Sequence, residues 1–190
     1  GTLSVLKTHR TNRLEPALAR NGGRLIKLTG DGALAEFGSA VDAVRAAIEF
    51  QQAVADANRE QREDDRIEFR VGLHLGDLIV DEDDLYGDGV NVAARLEGEA
   101  LPGSIVVSGT AYDFVGKRVK ARFVDLGELA LKNIDRPVRA YRVEWDAGEW
   151  STTSEAVPKD AQEQTSLARD RAQQRLATMA SVDVAGYSRL

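Results

Sequence analysis

The sequence has 190 residues and no cysteine. That excludes a disulfide framework and thiolate metal sites, and it fits a reducing, cytoplasmic setting. Long apolar runs are missing too. None approaches the roughly 18 residues of a membrane span, and the first residues lack the basic-then-apolar order of a signal peptide. No membrane contact is therefore expected of this domain. Positive charge is in deficit, with 25 Lys and Arg against 31 Asp and Glu, a net charge of −6. An acidic chain gains nothing from counterion release on a polyphosphate backbone, so no nucleic-acid partner is expected. Aromatic residues are scarce at 6%, but the hydrophobic share of 43% is ordinary for a globular protein. The length suits one domain with a real core. There is no internal repeat and no low-complexity tract.

What is present alternates between helical and strand patterns. Leu3, Leu6, Leu14 and Leu18 recur at helical spacing, with Pro16 expected to kink or divide the helix and Asn21-Gly22-Gly23 to stop it. Arg24 to Leu28 and Ala33 to Phe37 read as the strands of a hairpin around Thr29-Gly30-Asp31-Gly32. Ser39 is placed to cap a helix carrying Val41, Val44, Ile48 and Val54. The charged run Asn58 to Arg66 reads as a solvated connection. Ile67 to Val80 looks like two strands or a bent hairpin interrupted at Gly72 and Gly76, followed by a polar loop from Asp81 to Gly89 and a helix from Val90 to Leu96. Further strands are expected at Ser104 to Ser108, Arg122 to Leu126 and Pro137 to Trp145, with a helical turn at Tyr112 to Val115. The expected division is a body over 1–145, a linker or tail over 146–160, and a final segment over 161–190. In that last segment Ala161 to Gln174 reads as a polar helix and Leu176 to Val184 as a buried strand. The class is α/β or α+β.

Three places carry chemistry. Gly30-Asp31-Gly32 sets a carboxylate at a hairpin tip with little steric cover, open to a cation, although an ordinary Asp-Gly turn has the same residues. Asp183 ends an apolar strand and precedes Gly186-Tyr187-Ser188. An acid there is costly unless paired or metal-bound, and backbone N–H groups after it can turn toward an anion; a surface acid is the plain alternative. Oxygen ligands of this kind suit Mg²⁺ or Mn²⁺. The most specific cluster is Asp84-Leu85-Tyr86-Gly87-Asp88-Gly89-Val90-Asn91-Val92-Ala93-Ala94-Arg95. Asn91 and Arg95, four apart, share one helix face and can clamp a ribose and a phosphate, with Asp88 as the expected cap. A capped surface helix without function is the competing reading.

These segments, with Lys27-Leu28-Thr29-Gly30-Asp31-Gly32, Gly72-Leu73-His74-Leu75-Gly76, Leu131-Lys132-Asn133, Pro137-Val138 and Asp183-Val184-Ala185-Gly186-Tyr187-Ser188, resemble the class III adenylate/guanylate cyclase catalytic domain, bacterial members above all. The resemblance covers nearly all of the chain outside 146–160. It implies an α+β sandwich with a ferredoxin-like antiparallel core, helices on one face, and a nucleotide site at a homodimer seam. It implies that Asp31 and Asp183 bind two metal ions, Mg²⁺ or Mn²⁺. Lys27 and Asp84 would read adenine, which favours ATP over GTP, since guanylate cyclases of the family carry other residue types there. Asn91 would orient the ribose and Arg95 would stabilise charge on the α-phosphate. Lys132 would contact the terminal phosphates, beside Asn133 where the family often has glycine. Gly186, Tyr187 and Ser188 would also meet the substrate. His9 and His74 are expected to be structural.

The implied activity is conversion of ATP to cyclic AMP and pyrophosphate, with metal ligands from one protomer and the base-reading and Asn/Arg groups from its partner. A silent cyclase-like sensing or dimerisation module and a guanylate cyclase are the competing functions. The Gly-Gly-acid-acid signature of a diguanylate cyclase does not occur. One feature departs from the family: the strand bearing the first metal aspartate normally precedes the helix that opens this chain, whereas here it lies at 176–190. A residue order differing from the biological one, a circular permutation, and the start of a second domain all accommodate it.

Overall fold

Residues 2–81, 84–150 and 173–185 are described by the computed structural model. Helix α1 (Thr2–His9) runs through a π-helical turn at Arg10–Leu14 into α2 (Glu15–Arg20). The helix is thus divided over the turn before Pro16, where proline cannot donate to the Asn12 carbonyl. Pro16 lies in the first turn of α2, where proline is tolerated. Gly23 N–H then bonds the Leu18 carbonyl at 2.8 Å and ends the helix. Strands β1 (Arg24–Thr29) and β2 (Gly32–Phe37) form the expected hairpin. Its two-residue tip has Gly30 at φ 52, a left-handed conformation that glycine adopts without penalty. Helix α3 (Ala40–Arg59) starts where Ser39 Oγ accepts the Asp42 N–H at 3.3 Å.

Strand β3 (Glu68–Asp81) is one continuous strand of 14 residues, not a pair. Its glycines leave room for neighbours instead of breaking it. A Cβ at Gly72 would lie 2.3 Å from the Glu97 amide nitrogen, and one at Gly76 would lie 2.6 Å from His74 Nε2. Strand β4 (Asp84–Tyr86) pairs with the end of β3, where a loop was expected. Helix α4 (Asp88–Glu99) begins after Gly87, which holds the cap position at φ 129. Asp88 is the first helical residue, not the cap, and its charge complements the helix dipole. There follow β5 (Ile105–Ser108), α5 (Gly109–Val115), β6 (Arg122–Leu129), β7 (Val138–Glu144), α6 (Ala147–Trp150) and β8 (Gln173–Ala185).

The strands form one sheet in the order β1-β2-β8-β3-β5-β7-β6, with β4 attached to β3. Among the described strands only the β3–β5 pair is parallel. The strand read at Leu176 to Val184 thus lies in the middle of the sheet, pairing with β2 from Ala33↔Val182 to Phe37↔Thr178 and with β3 from Glu68↔Ala185 to Val80↔Gln173. Period-two alternation gives the sheet two buried faces. Val71, Leu73, Ala180, Val182 and Val184 pack under α2, α3 and α5. Leu78, Val106, Ala140, Ala177 and Met179 pack against Val90, Val92, Ala93 and Leu96 of α4. Helices therefore cover both faces rather than one, with α4 on the second. Core residues such as Phe37, Phe50, Ile48 and Leu73 are fully buried, each stabilising the fold by about 1.5–3 kcal/mol relative to exposure. No described helix is long and apolar enough to cross a membrane.

Candidate active site

The hairpin and the central strand bring the two acids to the same end of the sheet. Asp31 is exposed at the hairpin tip and lines a cleft of about 160 Å³ with Lys7, Arg10 and the apolar residues Leu6, Phe50 and Phe69. The β2–β8 ladder ends at Ala33↔Val182, so the next residues on the two strands are Gly32 and Asp183. Val182 and Val184 are buried under α3, and alternation turns Asp183, half-buried, toward the α4 face. Its Oδ1 accepts the Val184 N–H at 2.8 Å.

Across the ladder from Asp183 stands Arg70. Arg70 Nε lies 3.8 Å from Oε1 of Glu97, an acid on the inner side of α4. Neither atom has a hydrogen-bond partner. Burial, and then the negative charge of Asp183, push the Glu97 carboxyl up to about 7, while Arg70 pulls it partly back. Asp183 thus has both a cation, Arg70, and a second acid, Glu97, within electrostatic reach. Neither Arg70 nor Glu97 was singled out from the sequence. The signals were available: β-alternation puts Arg70 on the face away from Phe69 and Val71, and Glu97 is one helical turn after Ala93 on the buried side.

The other candidate residues stand as follows. Asn91 and Arg95 are exposed on α4, while Val92, Ala93 and Leu96 point inward. Lys27 is exposed on β1, just after a bulge between Leu25 and Lys27, on the same hairpin as Asp31. Asp84 is opposite Asp81 in the β3–β4 ladder. Lys132 is exposed between β6 and β7. Beside it Asn133 has φ 62, the only positive φ of a non-glycine among the described residues. Asparagine tolerates that region better than most residues, and a glycine would sit there without strain. Gly186, Tyr187 and Ser188 lie outside the described residues. His9 is buried edge-on to Phe69, and burial lowers its pKa. Burial also lowers His74, to about 4, so that it is neutral at pH 7.

Residues 2–144 match the family model of the adenylate and guanylate cyclase catalytic domain. The chain belongs to that family. This cyclase domain is 51% identical over 128 residues to a Rhizobium meliloti (strain 1021) protein named "Putative adenylate cyclase 3"; the match takes in 67% of the chain and 22% of that relative. An adenylate/guanylate cyclase/hydrolase from Silicibacter pomeroyi has a similar structure, with TM-score 0.71 and 41% identity over 76% of this chain and 85% of that one. The adenylyl cyclase CyaB of P. aeruginosa shares the fold, with TM-score 0.62 and 22% identity over 82% of this chain and 84% of that one. The domain spans well under half the length of the curated relatives it matches.

Proposed function

We propose that this domain is an adenylate cyclase that converts ATP to 3′,5′-cyclic AMP and pyrophosphate, with two divalent cations, at the seam of a homodimer. The observation that carries the reading is the convergence of β8 and the hairpin, which brings Asp183 and Asp31 to one end of the sheet. The residues suit a divalent cation. Among the described residues no group of three or more His, Cys, Asp or Glu side chains forms a closed metal cage. Two carboxylates are nevertheless what Mg²⁺ or Mn²⁺ takes when substrate phosphates and water complete its shell. Glu97, its pKa raised first by burial and then by the Asp183 carboxylate, adds a second acid on that side of the sheet, with Arg70 opposing it.

In this reading the 3′-oxygen of ATP attacks the α-phosphorus, the bond to the β-phosphate oxygen breaks, pyrophosphate leaves, and the hydroxyl proton passes to solvent. The cations, when bound, favour ionisation of the hydroxyl and offset charge on the leaving group. The chain itself positions the substrate and stabilises charge. Arg95 faces the α-phosphate and Asn91 orients the ribose. Lys27 and Asp84 read adenine at N1 and the exocyclic amine. Lys132 and Arg70 meet the terminal phosphates, Arg70 because it is the cation beside Asp183. Backbone N–H groups of Gly186, Tyr187 and Ser188 complete the phosphate contacts. The name of the Rhizobium relative supports ATP as substrate.

The test is cyclic AMP production with Mn²⁺ and ATP by the purified domain and by Asp31→Ala. Loss of at least about 100-fold is expected, since one positioned charge-stabilising group is typically worth 10²–10³. Equal product from both proteins refutes the two-metal reading. Replacing ATP by GTP separates the two base specificities, and Lys27→Ala with Asp84→Ala should relax the preference.

A further inference from the structure

Arg70 and Asp183 are directly opposed across β3 and β8, on the face that carries α4. Opposite charges in that relation ordinarily attract each other, yet no ion pair forms between them. Arg70 turns to Glu97 instead, with Nε 3.8 Å from Oε1. Among the described residues nothing else pairs with the guanidinium, and the Asp183 carboxylate accepts only the N–H of its neighbour Val184. Glu97 is seated for this task. Gly72 is the next residue after Arg70 on that face of β3. A Cβ there would stand 2.3 Å from the Glu97 amide nitrogen, so the bare glycine lets α4 down onto the strand. The Glu97 side chain is 11% exposed against 31% for Arg70, so the acid holds the arginine from the buried side. Stability does not account for the arrangement. Arg70 Nε and Glu97 Oε1 are both shielded from water without a hydrogen-bond partner, and a buried pair so loosely made adds little to the fold.

We propose that Glu97 is a positioning residue that draws the Arg70 guanidinium off Asp183, and so keeps the Asp183 carboxylate open to a divalent cation and the outer nitrogens of Arg70 open to an anion. Without the Glu97 charge, Arg70 closes onto Asp183 and each occupies the other. The competition of two acids for Arg70 stands apart from the proposed cyclase function. Only the consequence for cation and anion rests on that function.

The test is a double-mutant cycle between Arg70 and Asp183, run with and without the Glu97 charge. Wild type, Arg70→Gln, Asp183→Asn and the double variant are unfolded in urea with chelator at pH 8.5, where Glu97 is ionised. The same four are made carrying Glu97→Gln, which keeps the shape of the side chain. With Glu97 present the two substitutions should combine additively, within about twofold in the folding equilibrium constant. Under Glu97→Gln the coupling should rise to about fivefold, the upper range for opposed charges on paired strands. Equal coupling in both sets overturns the proposal. The second measurement is Mn²⁺ affinity without nucleotide, read from the EPR signal of free Mn²⁺. Arg70→Gln should tighten binding about fivefold more under Glu97→Gln than with Glu97 in place, because it frees Asp183 from a competing pair. A through-space charge effect tightens both equally. If Asp183→Asn weakens Mn²⁺ binding, equal tightening also overturns the proposal. If Asp183→Asn binds Mn²⁺ as tightly as wild type, the metal role of Asp183 is refuted, and the coupling alone upholds or overturns the positioning by Glu97.

Discussion

Substituting Gly72 by alanine tests how α4 is seated. The added Cβ would stand 2.3 Å from the Glu97 amide nitrogen, 2.4 Å from the Ala93 carbonyl oxygen and 2.9 Å from the Glu97 Cα. All three are backbone atoms, so no side chain can swing aside. To restore ordinary contact the helix must withdraw from the sheet by about 1 Å, and interiors packed like crystals do not absorb that locally. A gap of that size forfeits about a quarter to a half of each dispersion well along it, and the contacts of Val92, Ala93 and Leu96 are the ones affected. The loss should be about 3 kcal/mol, the upper end for overpacking. It is read as a lower urea midpoint at unchanged m-value. Gly98→Ala on the same helix is the contrast: nothing lies within 4 Å of its added Cβ, and replacing a helical glycine should gain about 0.5–1 kcal/mol. If Gly72→Ala unfolds within about 0.5 kcal/mol of wild type, helix α4 does not rest on that glycine and the packing account is wrong.

Glu97 has a folded pKa raised to about 7 from 4.5. The stability it contributes is therefore fully present below pH 4.5 and lost as pH rises through 7. Melted without metal, Glu97→Gln should gain in Tm relative to wild type between pH 5 and pH 8, and a difference that stays constant across that range counts against the buried charge. At Asn133, φ 62 sets the expectation that Asn133→Ala loses about 1 kcal/mol while Asn133→Gly loses none. Equal urea midpoints for the alanine variant and wild type would show that the left-handed backbone carries no strain.

The hairpin, the Ser39 cap and the buried C-terminal strand were legible because each is a local pattern: a glycine turn, a capping hydroxyl, an apolar run. The failures have a common cause. Gly72 and Gly76 look like breaks until the neighbours they admit are known, namely α4 and the His74 ring. Asp88 looks like a cap, but Gly87 reaches φ 129 and takes that place. Arg70 and Glu97 belong to no local pattern. They meet because β3 lies beside β8 and beneath α4, a relation between segments far apart in sequence. The position of Asn133 is the reverse case, where a residue read against a glycine-rich position was explained by one backbone angle.

The place of β8 also bears on how the protein is made. It is the last of the described strands along the chain, yet Ala33 and Val71 both pair with Val182, so the sheet cannot close without it. Until then β2 and β3 each present an open ladder edge to the crowded cell, the kind of surface on which nascent chains stick to one another. Pairings between such distant residues form late and slowly.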